Sequence, residues 1–290
     1  MKNYLFILCL SLFTAKLQAQ TKPIKAFLVC GDYKVLLVDY TSSKDSIPHI
    51  IWSWDAQTAV GLPDDYRTKF KSVDDCKSYG DYILVSSSSG AVAVVNRKDN
   101  KTVFYADAAM AHSVEMLPGG LLAVAASTHV KGNKLFLFDI KKGNTPIYSD
   151  TLYSGHGVIW DKQKQSLFAL GYSDLREYKL NSAAGTLSLK NQWKIPGKGG
   201  HDLQMAPDGK RLFLTSETNN FEFNLGTSTF SDIQGFKNVP NVKSVGQNTE
   251  AQFIYTIPEQ SWWTFHVKFA NPARSFAFPD MKVYKARWYN

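Results

Sequence analysis

The chain has 290 residues, of which 44% are hydrophobic and 13% are aromatic. This composition excludes a disordered chain, and the length fits one large or two ordinary domains. The net charge is +8, but Lys and Arg are dispersed along the chain, which argues against nucleic-acid binding. The three cysteines, Cys9, Cys30 and Cys76, lack the CxxC spacing of a zinc or redox site.

The N-terminus has the layout of a secretory signal peptide. Lys2 precedes an apolar run, residues 4–12, and Ala19 is a plausible cleavage position. The run is too short to cross a bilayer, and no later stretch is long enough either. We therefore predict that residues 1–19 are removed and that residues 20–290 form a single secreted or periplasmic domain. Cys30 and Cys76 remain in different predicted sheets, so their pairing stays open.

The mature chain repeats with a period of about 43 residues. Five similar segments begin at residues spaced 41, 44, 45 and 42 apart, which are Lys71, His112, His156, His201 and Lys243. Each unit contains four β-rich runs separated by Gly, Pro, Asn, Asp and Ser. In one unit these predicted strands are residues 112–117, 121–127, 134–140 and 146–152. Four strands in such a unit are typical of a β-propeller blade.

The two ends of the mature chain are predicted to form one blade together. The N-terminal unit begins with what matches a second strand, residues 27–31, and continues with strands at 35–40 and 49–55. Lys285 begins a C-terminal segment that resembles a first strand with nothing after it. We therefore predict an all-β, six-bladed propeller with four antiparallel strands per blade, its first blade closed by the C-terminal strand. No long 3.6-residue period is present, so the helix content is expected to be very low.

One hairpin carries a more specific resemblance. Asp208-Gly-Lys-Arg, preceded by Ala206-Pro207, resembles the Pro-Asp-Gly-Lys turn of TolB-like and YVTN-like bacterial propellers. As a whole the chain is also similar to secreted six-bladed propellers of glycan-degrading bacteria. This resemblance implies a fold and a compartment, and it supplies no catalytic residues.

The first strands of propeller blades line the central channel, so equivalent residues at their starts form a ring. In blade order the predicted ring is Lys285, Lys71, His112, His156, His201 and Lys243. Three imidazoles on consecutive blades can converge on one divalent metal ion, for which His112, His156 and His201 are the candidate ligands. Three lysines repel one another unless an anion lies between them. The ring is therefore interpreted as a metal site, an anion site or a purely structural feature.

The loops between second and third strands lie on the same rim as the ring, because two antiparallel strands return the chain to its starting side. Binding groups concentrate on such loops. The candidate ligand-binding residues there are Asp32, Tyr172, Asp174, Arg176, Glu217 and Glu259. His129 is a weaker candidate for a fourth metal ligand. Trp262, Trp263 and Trp288 either stack on a sugar ring or pack between blades.

Two classes of function fit this pattern. In the first, the six ring residues form a catalytic site that binds an anionic saccharide or small carboxylate and removes its α proton in a lyase-like reaction. A Lys or a His would act as the base, with or without one divalent metal ion. The site is similar in kind to that of propeller-fold uronate lyases, but it departs from them in its three lysines and its six blades.

In the second class, the protein binds an acidic glycan, a peptide or a phosphate without chemistry. An interaction scaffold that uses the blade faces is a third possibility. No motif of nucleotide binding or nucleophilic catalysis is present. We expect a monomer with a small anionic ligand, no nucleic-acid partner and no transmembrane segment.

Overall fold

The computed structural model describes residues 24–44 and 46–289, which form six four-stranded antiparallel sheets. Each sheet is one blade, and the blades are named A to F. The prediction of an all-β, six-bladed propeller is confirmed. The predicted signal peptide lies outside the described residues. Within the described ranges, no helix has the length and apolar character needed to cross a membrane.

The strands of each blade follow one another from the channel outward. Blade A contains β24 (Val283–Tyr289), β1 (Ala26–Gly31), β2 (Lys34–Lys44) and β3 (Ile47–Asp55). Blade B contains β4 (Val73–Tyr79), β5 (Tyr82–Ser87), β6 (Ala91–Asn96) and β7 (Lys101–Asp107). Blade C contains β8 (Ala111–Leu117), β9 (Leu121–Ala126), β10 (Lys134–Asp139) and β11 (Tyr148–Thr151).

The other three blades have the same order. Blade D contains β12 (Gly157–Asp161), β13 (Ser166–Leu170), β14 (Asp174–Asn181) and β15 (Thr186–Lys194). Blade E contains β16 (Asp202–Met205), β17 (Arg211–Thr215), β18 (Asn220–Asn224) and β19 (Thr229–Asp232). Blade F contains β20 (Ser244–Gln247), β21 (Phe253–Thr256), β22 (His266–Ala270) and β23 (Arg274–Ala277).

Helical structure is confined to one connection in the described part of the chain. A four-residue helix, α1 (Asp64–Arg67), and a 3-10 helix (Thr68–Phe70) join blade A to blade B. Phe70 is fully buried and packs edge-on against Trp54, with ring centroids 5.5 Å apart. This connection fixes where the first strand of blade B begins, and so which residues of that blade face the channel.

Blade A is closed by the two ends of the chain, as predicted. β24 pairs antiparallel with β1, so that Trp288 lies opposite Phe27 and Lys285 lies opposite Cys30. Trp288 is buried against Phe27 and Phe269, with ring centroids 6.4 and 5.5 Å away. It is therefore a core residue between blades A and F. Burying such aromatic rings stabilises the closure by about 2–3 kcal/mol each.

The β-rich pattern of the sequence reflects burial between blades. All six residues of β1 are buried, because one face packs on the neighbouring blade B and the other on blade F. Cys30 and Cys76 are free, buried thiols in the adjacent blades A and B. Strands that bury both faces carry continuous apolar runs rather than alternation. This is why second strands such as β1 and β9 were recognisable in the sequence.

The Asp208 hairpin shows how one turn motif works. The Asp208 carboxylate accepts hydrogen bonds from the Lys210 amide at 2.9 Å and from Arg211 Nε at 2.8 Å. Gly209 has φ of +65°, a left-handed conformation that glycine adopts without strain. The Asp-Gly-Lys order is therefore what this tight connection requires.

Candidate functional site

Six side chains from the starts of the inner strands form a layer at the mouth of the channel. This mouth layer comprises Asp74, His112, His156, His201, Lys243 and Tyr284. All of them are buried except His201, which is half-buried. Neighbouring members are in contact: the imidazole centroids of His112 and His156 are 4.4 Å apart, and those of His156 and His201 are 5.6 Å apart.

The register of the inner strands shows which residues are equivalent. We count the mouth residue of each blade, such as His112 or Lys243, as position one. The side chain at position two then accepts a hydrogen bond from the amide at position three of the next blade. Ser113 accepts from Val158, and Ser244 accepts from Ala286. Ala286 is therefore a third-position residue, and Tyr284, two residues earlier, stands at the mouth of blade A. Lys285 occupies the layer beneath.

In blade B the residue at the channel mouth is Asp74, three residues after Lys71, the residue predicted from the sequence repeat. Asp74 lies in a bulge between Val73 and Asp75, as His112 lies in a bulge of blade C, so Asp74 is the equivalent of His112. Lys71 caps the 3-10 helix before the strand and is exposed. The alignment was misled because Lys71 is followed by Ser-Val, as Lys243 is. Counting back from the hairpin turn between β4 and β5 would have found Asp74. No hairpin turn joins β24 to β1, so Tyr284, the other member that the sequence reasoning missed, follows only from the strand register.

The structure therefore brings four of the six predicted ring residues together in one layer and places two elsewhere. His112, His156, His201 and Lys243 are in the mouth layer. Lys285 lies one layer deeper and is fully buried, while Lys71 lies on the rim.

A network of six ionic side chains fills the channel below the mouth. We call it the plug; it comprises Asp75, Lys77, Glu115, Asp202, Lys285 and Arg287. Arg287 donates to both oxygens of Asp202, at 2.9 and 2.7 Å, and to Asp75 at 2.8 Å. Arg287 lowers the pKa of both carboxyls, which outweighs the effect of burial. Three cations and three carboxylates therefore balance in this layer.

Lys285 connects the plug to the mouth layer. Its ammonium donates to the main-chain oxygens of His112 and His156, at 3.3 and 3.2 Å, and lies 3.2 Å from Asp202 Oδ1. All three of its N–H donors are thus used. Lys285 is therefore a structural residue that closes the channel floor, and it leaves no donor for a ligand in the mouth.

The imidazoles of the mouth are held as neutral rings. Nδ1 of His112 lies 2.8 Å from the Met110 oxygen and Nδ1 of His156 lies 2.9 Å from the Ser154 oxygen, so Nδ1–H donates and each Nε2 keeps a lone pair. Burial lowers the pKa of His112 and lowers that of His156 further. Burial together with the charge of Lys243 lowers the pKa of His201 to about 3.

Lys243 is the exception among the buried cations. Its Nζ lies 2.9 Å from His201 Nε2, and no carboxylate of the described residues lies within ion-pair distance. The other buried cations, Lys77, Lys285 and Arg287, each have a carboxylate within 4.0 Å. Burial lowers the pKa of Lys243 to about 8, although the nearby charge of Glu217 opposes the shift. Lys243 is thus a mostly protonated amine with two unused donors at the mouth.

A pocket of about 230 Å³ lies on the rim beside the mouth. This rim pocket is lined by Lys71, Lys282, Trp262, Trp263, Asp74 and Tyr284, among others. Asp74 and Tyr284 belong to both the pocket and the mouth layer, so the two spaces adjoin. Trp262 is 56% exposed and stands edge-on to Trp263, at 4.8 Å between centroids. A wide exposed indole face next to two lysines suits a ligand that is flat, partly apolar and negatively charged.

The predicted rim residues are engaged in several ways. Asp174 pairs with Arg176 at 2.5 Å, and Glu259 pairs with His266 at 2.7 Å, so these carboxylates already have partners. Tyr172 packs edge-on against Tyr153, with centroids 5.6 Å apart. Of these four predicted rim residues, three belong to blade D and Glu259 belongs to blade F.

Asp32 and Glu217 lie closer to the candidate site. Asp32 accepts a hydrogen bond from the Lys282 amide at 2.9 Å and lines the rim pocket. The charge of Glu217 acts on Lys243. His129 makes a local turn contact with the Lys131 amide at 3.0 Å.

The mouth layer does not form a three-ligand metal site in this arrangement. Nε2 of His112 lies 3.9 Å from Asp74 Oδ1, and Nε2 of His201 receives the Lys243 ammonium. The ammonium of Lys285 lies directly beneath and disfavours a further cation. No group of three or more metal-ligating side chains is present among residues 24–44 and 46–289.

Comparisons with known proteins bear on the fold and the family. A chain in the crystal structure of a mitotic checkpoint complex superposes with a TM-score of 0.57 at 14% identity, covering 87% of this chain and 72% of that one. At this identity the likeness shows the propeller fold alone. No curated protein matches the sequence. A family model matches residues 18–290, and the chain therefore belongs to the family of unknown function DUF6528.

Proposed function

We propose that the channel mouth and the rim pocket bind an acidic saccharide, with its carboxylate on the ammonium of Lys243. The observation that carries this proposal is the missing counter-ion. Burying an ammonium without a carboxylate is costly, and the plug beneath shows that this chain pairs its other buried cations. An anionic ligand would supply the absent charge.

The rim pocket supports a saccharide rather than a bare anion. Trp262 offers an exposed indole face, and Lys71 and Lys282 add positive charge at the pocket wall. Lys282 Nζ lies 4.8 Å from the Trp263 ring centroid, which holds this ammonium at the pocket edge. A pyranose ring would stack on Trp262 while its carboxylate faces the lysines.

A lyase-like reaction is our proposal for the chemistry of the bound saccharide. A base must remove the proton next to the carboxylate. Lys243, whose pKa burial lowers to about 8, is one candidate, and the imidazoles of His112 and His156, each with an unprotonated Nε2, are the others. The ammonium form of Lys243 would stabilise the charge that develops on the carboxylate oxygens. Non-catalytic binding uses the same contacts, so an assay of product formation separates the two.

The binding proposal is tested by calorimetry with glucuronate and glucose. We expect glucuronate to bind more tightly than glucose, and Lys243→Met to weaken glucuronate binding by about tenfold or more, because a charge-assisted hydrogen bond is lost. Trp262→Ala should weaken glucuronate binding and leave acetate binding unchanged. Lys98→Met removes an exposed cation that already pairs with Asp81 at 2.6 Å and serves as the control.

Two results would contradict the proposal. Equal affinity for glucuronate and glucose would show that charge plays no part. An unchanged glucuronate affinity in Lys243→Met would show that the anion binds at another site. The affinity of Lys71→Ala would then show whether a rim lysine holds it.

Metal assistance is a separate prediction that the residues as arranged do not favour. Elemental analysis of the purified protein beside His156→Ala tests it. A stoichiometric metal that is lost in the variant would support a site at the histidines, and it would require Lys243 to leave His201.

Secretion is likewise proposed from the sequence. N-terminal sequencing of the protein recovered from outside the cytoplasm tests it. A mature N-terminus at residue 20 is the expected result, and an intact Met1 would contradict it.

A further inference from the structure

We propose that Lys243 is a nucleophilic amine that forms an imine with the carbonyl group of an oxo acid, such as the open-chain form of a sugar acid. This inference rests on the proposed function, because the same site must first hold the acid. The imine forms from Lys243 in its deprotonated state, with the carboxylate of the oxo acid then facing Lys71 and Lys282 of the rim pocket. It goes beyond that function in assigning a covalent step to one named atom, Lys243 Nζ.

The contrast between two buried lysines carries the inference. Lys285 uses all its donors on two main-chain oxygens and the Asp202 carboxylate. Lys243 has only a neutral imidazole as hydrogen-bond partner, at 2.9 Å. No carboxylate of the described residues pairs with Lys243 to hold its proton. A desolvated lysine next to other positive groups is the environment in which an amine becomes a nucleophile.

The surroundings keep the amine available. His201 contacts Nζ from blade E, Lys285 lies in the layer below, and the charge of Glu217 acts from the rim. Of the charged groups, Lys285 disfavours the protonated amine and Glu217 favours it, and Glu217 is not within ion-pair distance. Lys243 is 8% exposed, so its approach is restricted to the mouth side.

The proposed step balances without an oxidant or reductant. The neutral amine of Lys243 attacks the carbonyl carbon, and the π electrons of the C=O bond move to oxygen, which takes up a proton. The resulting carbinolamine loses this hydroxyl as water after a second protonation, while nitrogen loses one proton. A C–N double bond replaces the C–O double bond, and the product is a protonated imine.

The experiment uses glyoxylate, the smallest oxo acid, with sodium cyanoborohydride to reduce the imine. We expect the protein to gain the mass of one carboxymethyl group and peptide mapping to place it on Lys243. The labelling rate should rise through pH 8, whereas exposed lysines react with a midpoint of about 10.4. Lys243→Arg should lose this label while exposed lysines such as Lys98 react as before.

Acetate separates this inference from the proposed function, because it has a carboxylate but no carbonyl. Protection of Lys243 by acetate, with labelling in its absence, supports both. Acetate binding without labelling at Lys243 overturns the imine and leaves anion binding intact. If Lys243 is labelled to the same extent with and without acetate, the reactive amine is supported and the carboxylate site is overturned. Labels spread evenly over exposed lysines, in both the wild type and Lys243→Arg, overturn the inference.

Discussion

The plug lies directly beneath the mouth layer, on four of the six inner strands (β4, β8, β16 and β24), and the two layers differ in how their charges are paired. In the plug, three cations face three carboxylates at hydrogen-bond or ion-pair distance. In the mouth, the row of three neutral imidazoles ends at Lys243, which contacts His201 and has no carboxylate partner among the described residues. Both layers are buried, so the difference is not one of solvent exposure. A satisfied buried network stabilises the channel floor, whereas an unsatisfied one marks where a ligand completes the site.

The same substitution at the two lysines should have opposite effects, and the larger is at the plug. Lys285→Met leaves two buried main-chain oxygens without a donor and removes one cation from Asp202. We expect it to lower the free energy of unfolding by about 3–5 kcal/mol, measured by chemical denaturation. A loss below about 1 kcal/mol, the range of exposed ion pairs, would show that the plug is not a structural network.

Acidification should destabilise the protein by protonating the three histidines of the mouth layer. The three histidines have folded-state pKa values below the usual 6.5, so the unfolded chain binds protons first as the pH falls. The histidines contribute fully to the free energy of unfolding above pH 6.5. This contribution is lost progressively below pH 6.5, by at most about 1.4 kcal/mol per histidine per pH unit. Chemical denaturation between pH 7 and pH 5 measures this slope.

A matched variant isolates the histidine contribution. Burial raises the pKa of Asp74 and Glu115, which opposes the effect because the folded state then takes up protons first. His156→Gln removes one histidine and leaves both carboxyls, so the pH slope should become shallower. An identical slope in the variant and the wild type would mean that His156 is not held neutral by the fold.

The smallest change in the free energy of unfolding is expected for Lys243→Met, and the sign of this change tests the comparison between the two layers. Lys243→Met removes an ammonium whose pKa burial has lowered to about 8 and gives up one hydrogen bond to His201. We expect the variant to be more stable by about 1–2 kcal/mol at neutral pH, measured by chemical denaturation. A destabilised Lys243→Met would indicate that the ammonium has a structural partner and would weaken the comparison between the two layers.

The fold could be predicted from the sequence because its signals are local. Each blade repeats the same four short strands with turn residues between them, and strands buried on both faces carry continuous apolar runs. The orphan strand at Lys285 and the incomplete first unit at residues 27–31 were complementary, so the closure of blade A followed from counting alone.

The candidate site was only partly predictable. The recurring basic residues correctly pointed to the channel, but the Ser-Val after Lys71 resembled the starts of other inner strands. The 3-10 helix, Thr68–Phe70, shifts the true start of blade B to Val73 and brings Asp74 into the mouth. A shift of one residue at Lys285 likewise exchanges a mouth position for a plug position, because alternate side chains of a strand face different ways.

The sequence by itself determined the number of blades, their strand pattern and the way the ends join, since these depend on periodicity and on apolar runs. Only the tertiary structure decided which charged residues of the channel have an oppositely charged partner. Lys243 and Lys285 are the same amino acid at similar places in the repeat, yet one lies beside a neutral imidazole and the other beside Asp202. Partners from different blades, far apart in the chain, set these environments, and no local pattern encodes them.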